Sequence, residues 1–358
     1  MKKIYHFSAL IGTPSRIFKL LGFFLSLIMI FVSGFGFSAK GQETIVETFT
    51  SSDTWTVPAG VTEITVEAWG AGGGGGNRTS NGYAGGGGGG AYSRSAVAVS
   101  SGQSSYIVTI GQGGTSGVNG GSTIFGLSKV VAAGGKSVSN NNQKGAQGGL
   151  ASESIGDVRS SGGNGGDGGV DRNNWWNQYE YSGPGGGAAG STGNGKTASD
   201  QNGGAATADY GGAGGNSVTG SSNGNNGLNY GGGGSGAICS GWFQPDRIGG
   251  AGASGFLRIS YIPGYRAEIS TPVIGSNIWE IAEERTISVD LKNTGQATWS
   301  SPEVELGIRW SDDIFQTVDP AGLAMDESRN YPIAVTAPSI QGSYTFDVVV
   351  KYPDGSEN

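Results

Sequence analysis

The chain has 358 residues, of which 72 are glycine, with one cysteine, one histidine and a formal net charge of −7. A lone Cys239 has no partner for a disulfide framework, and the acidic balance argues against nucleic acid as a partner. The glycines crowd into residues 70–255, while the sequence on either side has the composition of an ordinary β-protein.

Residues 1–41 carry Lys2, Lys3, Arg16 and Lys19, then the apolar run Leu20-Leu21-Gly22-Phe23-Phe24-Leu25-Ser26-Leu27-Ile28-Met29-Ile30-Phe31-Val32, then Ala39-Lys40-Gly41. A basic stretch, a short apolar core and a small-residue site predict a secretory signal peptide cut before Gln42, and so an exported protein, extracellular or at the cell surface. Counting the apolar stretch as far as Phe37 nearly reaches spanning length, which makes an uncleaved membrane anchor the alternative. Cleavage removes five basic and no acidic residues, moving the net charge to about −12. It also removes His6, the only histidine, and with it histidine triads, histidine metal sites and histidine acid–base chemistry. No cysteine follows the apolar core to carry a lipid anchor.

Residues 42–262 read as one glycine-rich domain in a β frame. Strands are predicted at 43–49, 54–57 and 61–69, with Val57-Pro58-Ala59-Gly60-Val61 as the turn before the third. Further short strands are predicted at 91–99, 104–110, 122–125 and 129–133, and a closing one at 255–261. A strand at each end ties the glycine segment to one sheet system, which a flexible linker does not require.

Collagen is excluded, because the glycines come in runs and only Pro184 and Pro245 lie in the segment. Gly162-Gly163-Asn164-Gly165-Gly166-Asp167-Gly168-Gly169 and Gly211-Gly212-Ala213-Gly214-Gly215-Asn216 instead repeat Gly-Gly-X. A helix with three residues per turn turns that repeat into two bare faces and one side-chain face. It makes no internal hydrogen bonds, so its backbone must bond to neighbouring helices, as in a polyglycine-II bundle. Fixing so many glycines has a large entropic cost, which makes disorder the competing reading.

Trp55-Thr56-Val57-Pro58-Ala59-Gly60-Val61, Val66-Glu67-Ala68-Trp69-Gly70-Ala71-Gly72, the glycines 85–90 followed by Ala91-Tyr92-Ser93, and Val130-Val131-Ala132-Ala133-Gly134-Gly135 together resemble the glycine-rich domain of bacterial surface proteins and phage tail-fibre adhesins. The Gly90-Ala91-Tyr92 and Val131-Ala132-Ala133-Gly134-Gly135 pieces also resemble the glycine-rich domain of the anaplastic lymphoma kinase receptor family. The resemblance implies a jelly-roll-like sandwich with polyglycine-II insertions, exposed loops for recognition, and no catalytic residues to carry over.

Gly190-Ser191-Thr192-Gly193-Asn194-Gly195-Lys196-Thr197 fits the phosphate-loop pattern, but neither a buried strand before it nor a helix after it is predicted. The stretch 162–170 partly fits a calcium-binding β-helix repeat, in a single copy. Two aromatic islands interrupt the glycines, one at 171–182 with Arg172, Trp175, Trp176, Tyr179 and Tyr181, the other at 238–248 with Trp242 and Phe243. Aromatic faces among Asn, Gln, Asp and Arg suit a glycan or protein contact, and the same rings suit capping of the bundle's end. Tyr83, between two glycine runs, is a weaker third candidate.

Residues 263–358 follow a short hinge, Ile262-Pro263-Gly264-Tyr265. Alternating strands are predicted at 286–291, 303–310 and 344–350. Leu291-Lys292-Asn293-Thr294-Gly295 with Trp299, and Val335-Thr336-Ala337-Pro338 before Gly342-Ser343-Tyr344-Thr345-Phe346, resemble immunoglobulin-like modules of bacterial surface proteins, which places Trp299 and Trp310 in a core. The turn Asp354-Gly355-Ser356 has no closing strand after it, as in a truncated or minimal sandwich. The expectation is therefore an all-β, non-enzymatic binding or adhesion protein with no cofactor and no metal, and with a purely structural surface or matrix component as the alternative.

Overall fold

The computed structural model describes residues 9–11, 44–100, 104–171, 179–207, 210–241, 244–270, 272, 278–300, 304–310, 315–320, 322–353, 355 and 357. Among these the chain is nearly all β, with no α-helix and one 3-10 turn at Ala151–Glu153. It divides into two compact units, Ile45–Pro58 with Thr62–Tyr261, and Met1–Thr44 with Ala59–Val61 and Ile262–Asn358. Strand β1 (Ala9–Ile11) is part of the second unit.

The glycine-rich unit begins with β2 (Ile45–Phe49), β3 (Asp53–Thr56), β4 (Glu63–Trp69) and the two-residue β5 (Gly82–Tyr83). It continues with β6 (Tyr92–Ala98), β7 (Ser105–Thr109), β8 (Thr123–Phe125), β9 (Val130–Ala132) and β10 (Val158–Ser160). It closes with β11 (Gly169–Asp171), β12 (Tyr179–Tyr181), β13 (Ile238–Cys239) and β14 (Phe256–Tyr261). One sheet has the order β10-β6-β4-β14-β2 and the other β3-β7-β8-β9, all antiparallel. In β4 the residues Ile64, Val66 and Ala68 are buried with Leu257 and Ile259 of β14, and Trp55 of the smaller sheet meets Tyr261 at 5.9 Å between ring centroids. Alternation at period two thus built the sandwich the sequence expected.

The opposite face of β4 carries a buried polar group. Glu67 accepts hydrogen bonds from Tyr92 Oη at 2.6 Å and Arg258 Nε at 2.7 Å, and beside it Trp69, Tyr92 and Phe256 pack with Ala189 and Tyr230. Burial, and then the hydrogen bond to Glu67, push the Tyr92 phenol well above its ordinary 10.0. A raised phenol stabilises the fold fully below the unfolded value and loses that contribution as pH rises above about 10. Wild-type stability measured between pH 8 and 12 is expected to fall above pH ~10, with a shallower slope in Tyr92→Phe.

The glycine segment continues the β4–β6 pair outward. Trp69 faces Tyr92 in the last rung of that pair, and beyond it the backbone N–H groups of Gly70, Gly73 and Gly76 donate to the carbonyls of Ala91, Gly88 and Gly85. Ala71 and Gly74 donate to Gly121 and Val118, while Gly72 and Gly75 donate to Ala253 and Gly250. Every third residue addresses the same neighbour, as a helix with three residues per turn requires. The helix at residues 84–91 is the hub. It donates to Ala133, Lys136 and Asn142 on one side, to Gly163 and Gly166 on a second, and to Gly231, Gly234 and Ala237 on a third. It also accepts from Gly73, from Ala146 and Gly149, and from Gly183, Gly186 and Ala189. These bonds form a polyglycine-II lattice.

The expected side-chain face is absent from this hub. A Cβ built on any residue from Gly85 to Gly90 stands 1.9 to 2.2 Å from a backbone oxygen of another segment, so all three faces are bare. Gly-Gly-X belongs to the rim instead, where Asn164, Asp167 and Asn216 are exposed. There an asparagine or aspartate side chain does the work of a missing neighbour. Asn164 Oδ1 accepts from Gly148 N, Asp167 Oδ1 from Gly145 N, Asn216 Oδ1 from Gly203 N and Asn226 Oδ1 from Ala251 N, at 2.8 to 3.0 Å. A side-chain carbonyl three atoms out from the backbone replaces the main-chain carbonyl that an outer helix lacks.

The second unit adds β15 (Ala267–Ile269), β16 (Ile278–Trp279), β17 (Glu284–Asn293), β18 (Glu305–Trp310), β19 (Phe315–Val318), β20 (Ser328–Thr336), β21 (Ser343–Tyr344) and β22 (Phe346–Lys351). Its sheets run β15-β17-β20, β19-β18-β22 and β16-β1-β21. Trp299 and Trp310 are buried among Trp279, Leu291, Leu306 and Phe346, as core. Asn293 is fully buried, donating to the carbonyls of Ala297 and Leu323 and accepting from Gly295 N. In the expected hinge, Ile262, Pro263 and Gly264 accept at their carbonyls from Gln296 and Ala297, within the unit that follows. The expected strand at 344–350 is broken at Thr345 into β21 and β22.

Candidate functional site

The helix that leaves the frame at Trp69 reaches its turn after residue 76, a distance of on the order of 20 Å at about 3.1 Å per residue. That turn, residues 77–83, carries Arg78. Its guanidinium is buried, and its hydrogen bonds run to carbonyls and a hydroxyl rather than to a carboxylate. It donates from Nη1 to Asn141 O at 2.8 Å, from Nη2 to Asn81 O at 2.5 Å, and from Nε to Ser80 O at 3.2 Å. Burial pulls the guanidinium below its ordinary value, an effect that the neighbouring Cys239, Glu180 and Tyr83 partly offset. Gly82 has φ +126°, and a Cβ there would lie 2.5 Å from Arg78 Nη2, so only glycine lets the arginine cross the turn.

Three loops meet at this turn. Gly82 and Tyr83 of β5 pair with Cys239 and Ile238 of β13. Gly241 N donates to Asn81 Oδ1 at 3.1 Å, and the backbones of Arg78 and Arg247 exchange two hydrogen bonds of 2.8 Å. The β11–β12 hairpin joins them, since Ser240 Oγ donates to Glu180 Oε2 at 2.9 Å and Gly168 lies against the Tyr83 ring. The described residues of the two islands, 171 and 179–181 on one side and 238–241 and 244–248 on the other, therefore meet Tyr83 at this turn.

Of the expected contact residues, Tyr179 is 42% exposed and Tyr181 is half-buried on β12, where it also bridges Thr219. Arg172, Trp175, Trp176, Trp242 and Phe243 lie outside the described residues. Cys239 is buried, with Sγ 4.0 Å from Pro245 O. Sequence reasoning missed Arg78, Asn81, Glu180, Ser240 and Asn141. The run Asn77-Arg78-Thr79-Ser80-Asn81 between two glycine runs was the available signal, since a polar insert there has to be a turn.

The two motif matches take structural roles. Gly190 and Gly193 exchange backbone bonds across a tight turn and no helix follows, while Lys196 joins the lattice by accepting from Gly187 N. Asp167 is held by Lys144 Nζ at 2.6 Å and Gly145 N. Among the described residues no group of three or more His, Cys, Asp or Glu side chains is placed to hold a metal ion, and no helix is long and apolar enough to cross a membrane.

Frame, lattice and loop cluster define an all-β protein whose head is a bundle of glycine helices carried on a sandwich. The model of the glycine-rich domain family matches residues 45–262, and the chain belongs to that family. No curated protein matches the chain.

Proposed function

We propose that the chain is an exported binding or adhesion protein of the cell surface or extracellular space, in which the glycine-helix bundle is a rigid head and the loops around Arg78 are its contact surface. The convergence of residues 77–83 with 168–171, 179–182, 238–241 and 244–248 carries this reading. A lattice of backbone bonds between helices gives the loops at its turn a fixed position, and the described ends of both aromatic islands lie in those loops. The partner is a glycan or a protein on a cell surface or matrix. The second unit, similar in its sequence pattern to immunoglobulin-like modules, is the spacer. No catalytic residue and no cofactor enter this reading.

The test compares binding of wild type, Tyr179→Ala and Trp175→Ala/Trp176→Ala to a glycan array and to intact cells. Loss of about tenfold or more in the variants, with unchanged thermal unfolding, is the expected result. Equal absence of binding by all three proteins would leave the purely structural role.

A further inference from the structure

The outer face of the larger sheet carries charge where its inner face carries the core. One rung lines up Thr48 of β2, Arg258 of β14, Glu67 of β4 and Arg94 of β6. Neighbours in such a rung hold their Cβ atoms about 5 Å apart, so Glu67 stands between two arginines. Both of its oxygens are engaged, one by Tyr92 and the other by Arg258. Arg94 is exposed, and among the described residues its guanidinium has no hydrogen-bonding partner. The rung therefore holds one positive charge in excess, on a chain whose formal net charge is −7. The other acidic residue of β4, Glu63, is four residues along the same face, about 13 Å away.

An aromatic ring stands beside this charge. The next rung is Phe256, Trp69 and Tyr92, and Tyr210 is stacked on Phe256 with 4.9 Å between ring centroids. Its ring centre lies 5.3 Å from Arg258 Cζ. Trp69 also packs on Tyr210, yet that ring is 48% exposed. On the other side of the charged rung, Ser260 of β14 and Thr65 of β4 stand opposite each other, half-buried. A ring held in place, two arginines and a few hydroxyls are the groups that a sugar bearing a carboxylate needs. The ring takes the apolar face of the pyranose, a guanidinium takes the carboxylate, and the hydroxyls orient the rest.

We propose that this face binds an acidic polysaccharide, with Arg94 holding a sugar carboxylate, Arg258 adding its charge and Tyr210 stacking on the sugar ring. A peptide is the poorer fit, because β14, β4 and β6 are all interior strands of their sheet and offer no main-chain edge. The face lies where the helix starting at Trp69 leaves the frame, and the loops around Arg78 lie at that helix's turn, so different variants test the two sites.

The experiment runs the full chain in native gels containing polygalacturonate, dextran or polyglutamate at physiological salt. Wild type should be retarded by polygalacturonate alone. Arg94→Ala removes an exposed side chain, and asparagine in Tyr210→Asn tolerates the φ of +60° found there, so both should melt as wild type does. Each is expected to weaken retardation about tenfold or more, whereas Tyr179→Ala, in the loops around Arg78, should leave it unchanged. If Tyr210→Asn melts early, Arg94→Ala decides alone. No retardation of wild type, equal retardation by polyglutamate, full retardation of a variant that melts normally, or an equal loss in Tyr179→Ala would each overturn the proposal.

Discussion

Replacing Gly90 with alanine is expected to prevent the glycine-rich unit from folding. The new Cβ would stand 1.9 Å from Gly70 O, a main-chain atom that cannot rotate away. Neither partner can retreat. Gly90 N is bonded to Gly231 O and Gly90 O to Ala189 N, while Gly70 N is bonded to Ala91 O, so any shift breaks bonds to several helices at once. A loss of at least ~4 kcal/mol follows from overpacking combined with broken buried hydrogen bonds. Gly87→Ala should behave alike, its Cβ falling 2.2 Å from Gly73 O. The control is Gly117→Asn. Gly117 has φ +75° with nothing near its Cβ direction, and asparagine tolerates that conformation, so the cost should stay within about 1 kcal/mol. Circular dichroism melting of the three variants separates a lattice from a flexible linker, because a linker would accept all of them equally.

The frame of this head was legible because it obeys rules of period two. The strand at 61–69 and its partner at 255–261 fall within two residues of β4 and β14, and their pairing shows why the glycine segment is held at both ends. The lattice was legible in its period of three, though its hub was not. A run such as Gly85 to Gly90 says only that no side chain fits, and how many neighbours exclude it depends on helices distant in sequence. The asparagine rim was hidden for the same reason. Asn164 and Gly148 are related by the packing of two helices, and no local propensity signals that one will cap the other.

Other omissions have different causes. β20 contains Pro332, which counts against a strand, yet β20 is an edge strand and can turn a proline's missing donor outward. The loop cluster rests on β5 and β13, two residues each, too short for periodicity to register. Aromatic composition singled out two segments, whereas the meeting of their described residues depends on Arg78, a residue in a polar insert between two glycine runs that no periodicity marks.

Arg78→Ala is accordingly expected to lower the stability of the glycine-rich unit by about 1 to 3 kcal/mol and to abolish binding at the loop cluster. The guanidinium ties together the carbonyls of Ser80, Asn81 and Asn141, three exposed residues, and alanine would hand those carbonyls to water and release the turns from one another. Arg78→Lys should recover little of the loss, because one ammonium cannot reach three carbonyls that a planar fork reaches at once. Hydrogen exchange distinguishes this loss from that of Gly90→Ala. In Arg78→Ala, protection should fall at residues 77–83, 141–142 and 238–241 while residues 86–90 stay slow, since the lattice bonds there involve none of the arginine's partners. Uniform loss across both regions would mean that Arg78 supports the bundle as a whole, and slow exchange throughout would mean that the turn holds its shape without it.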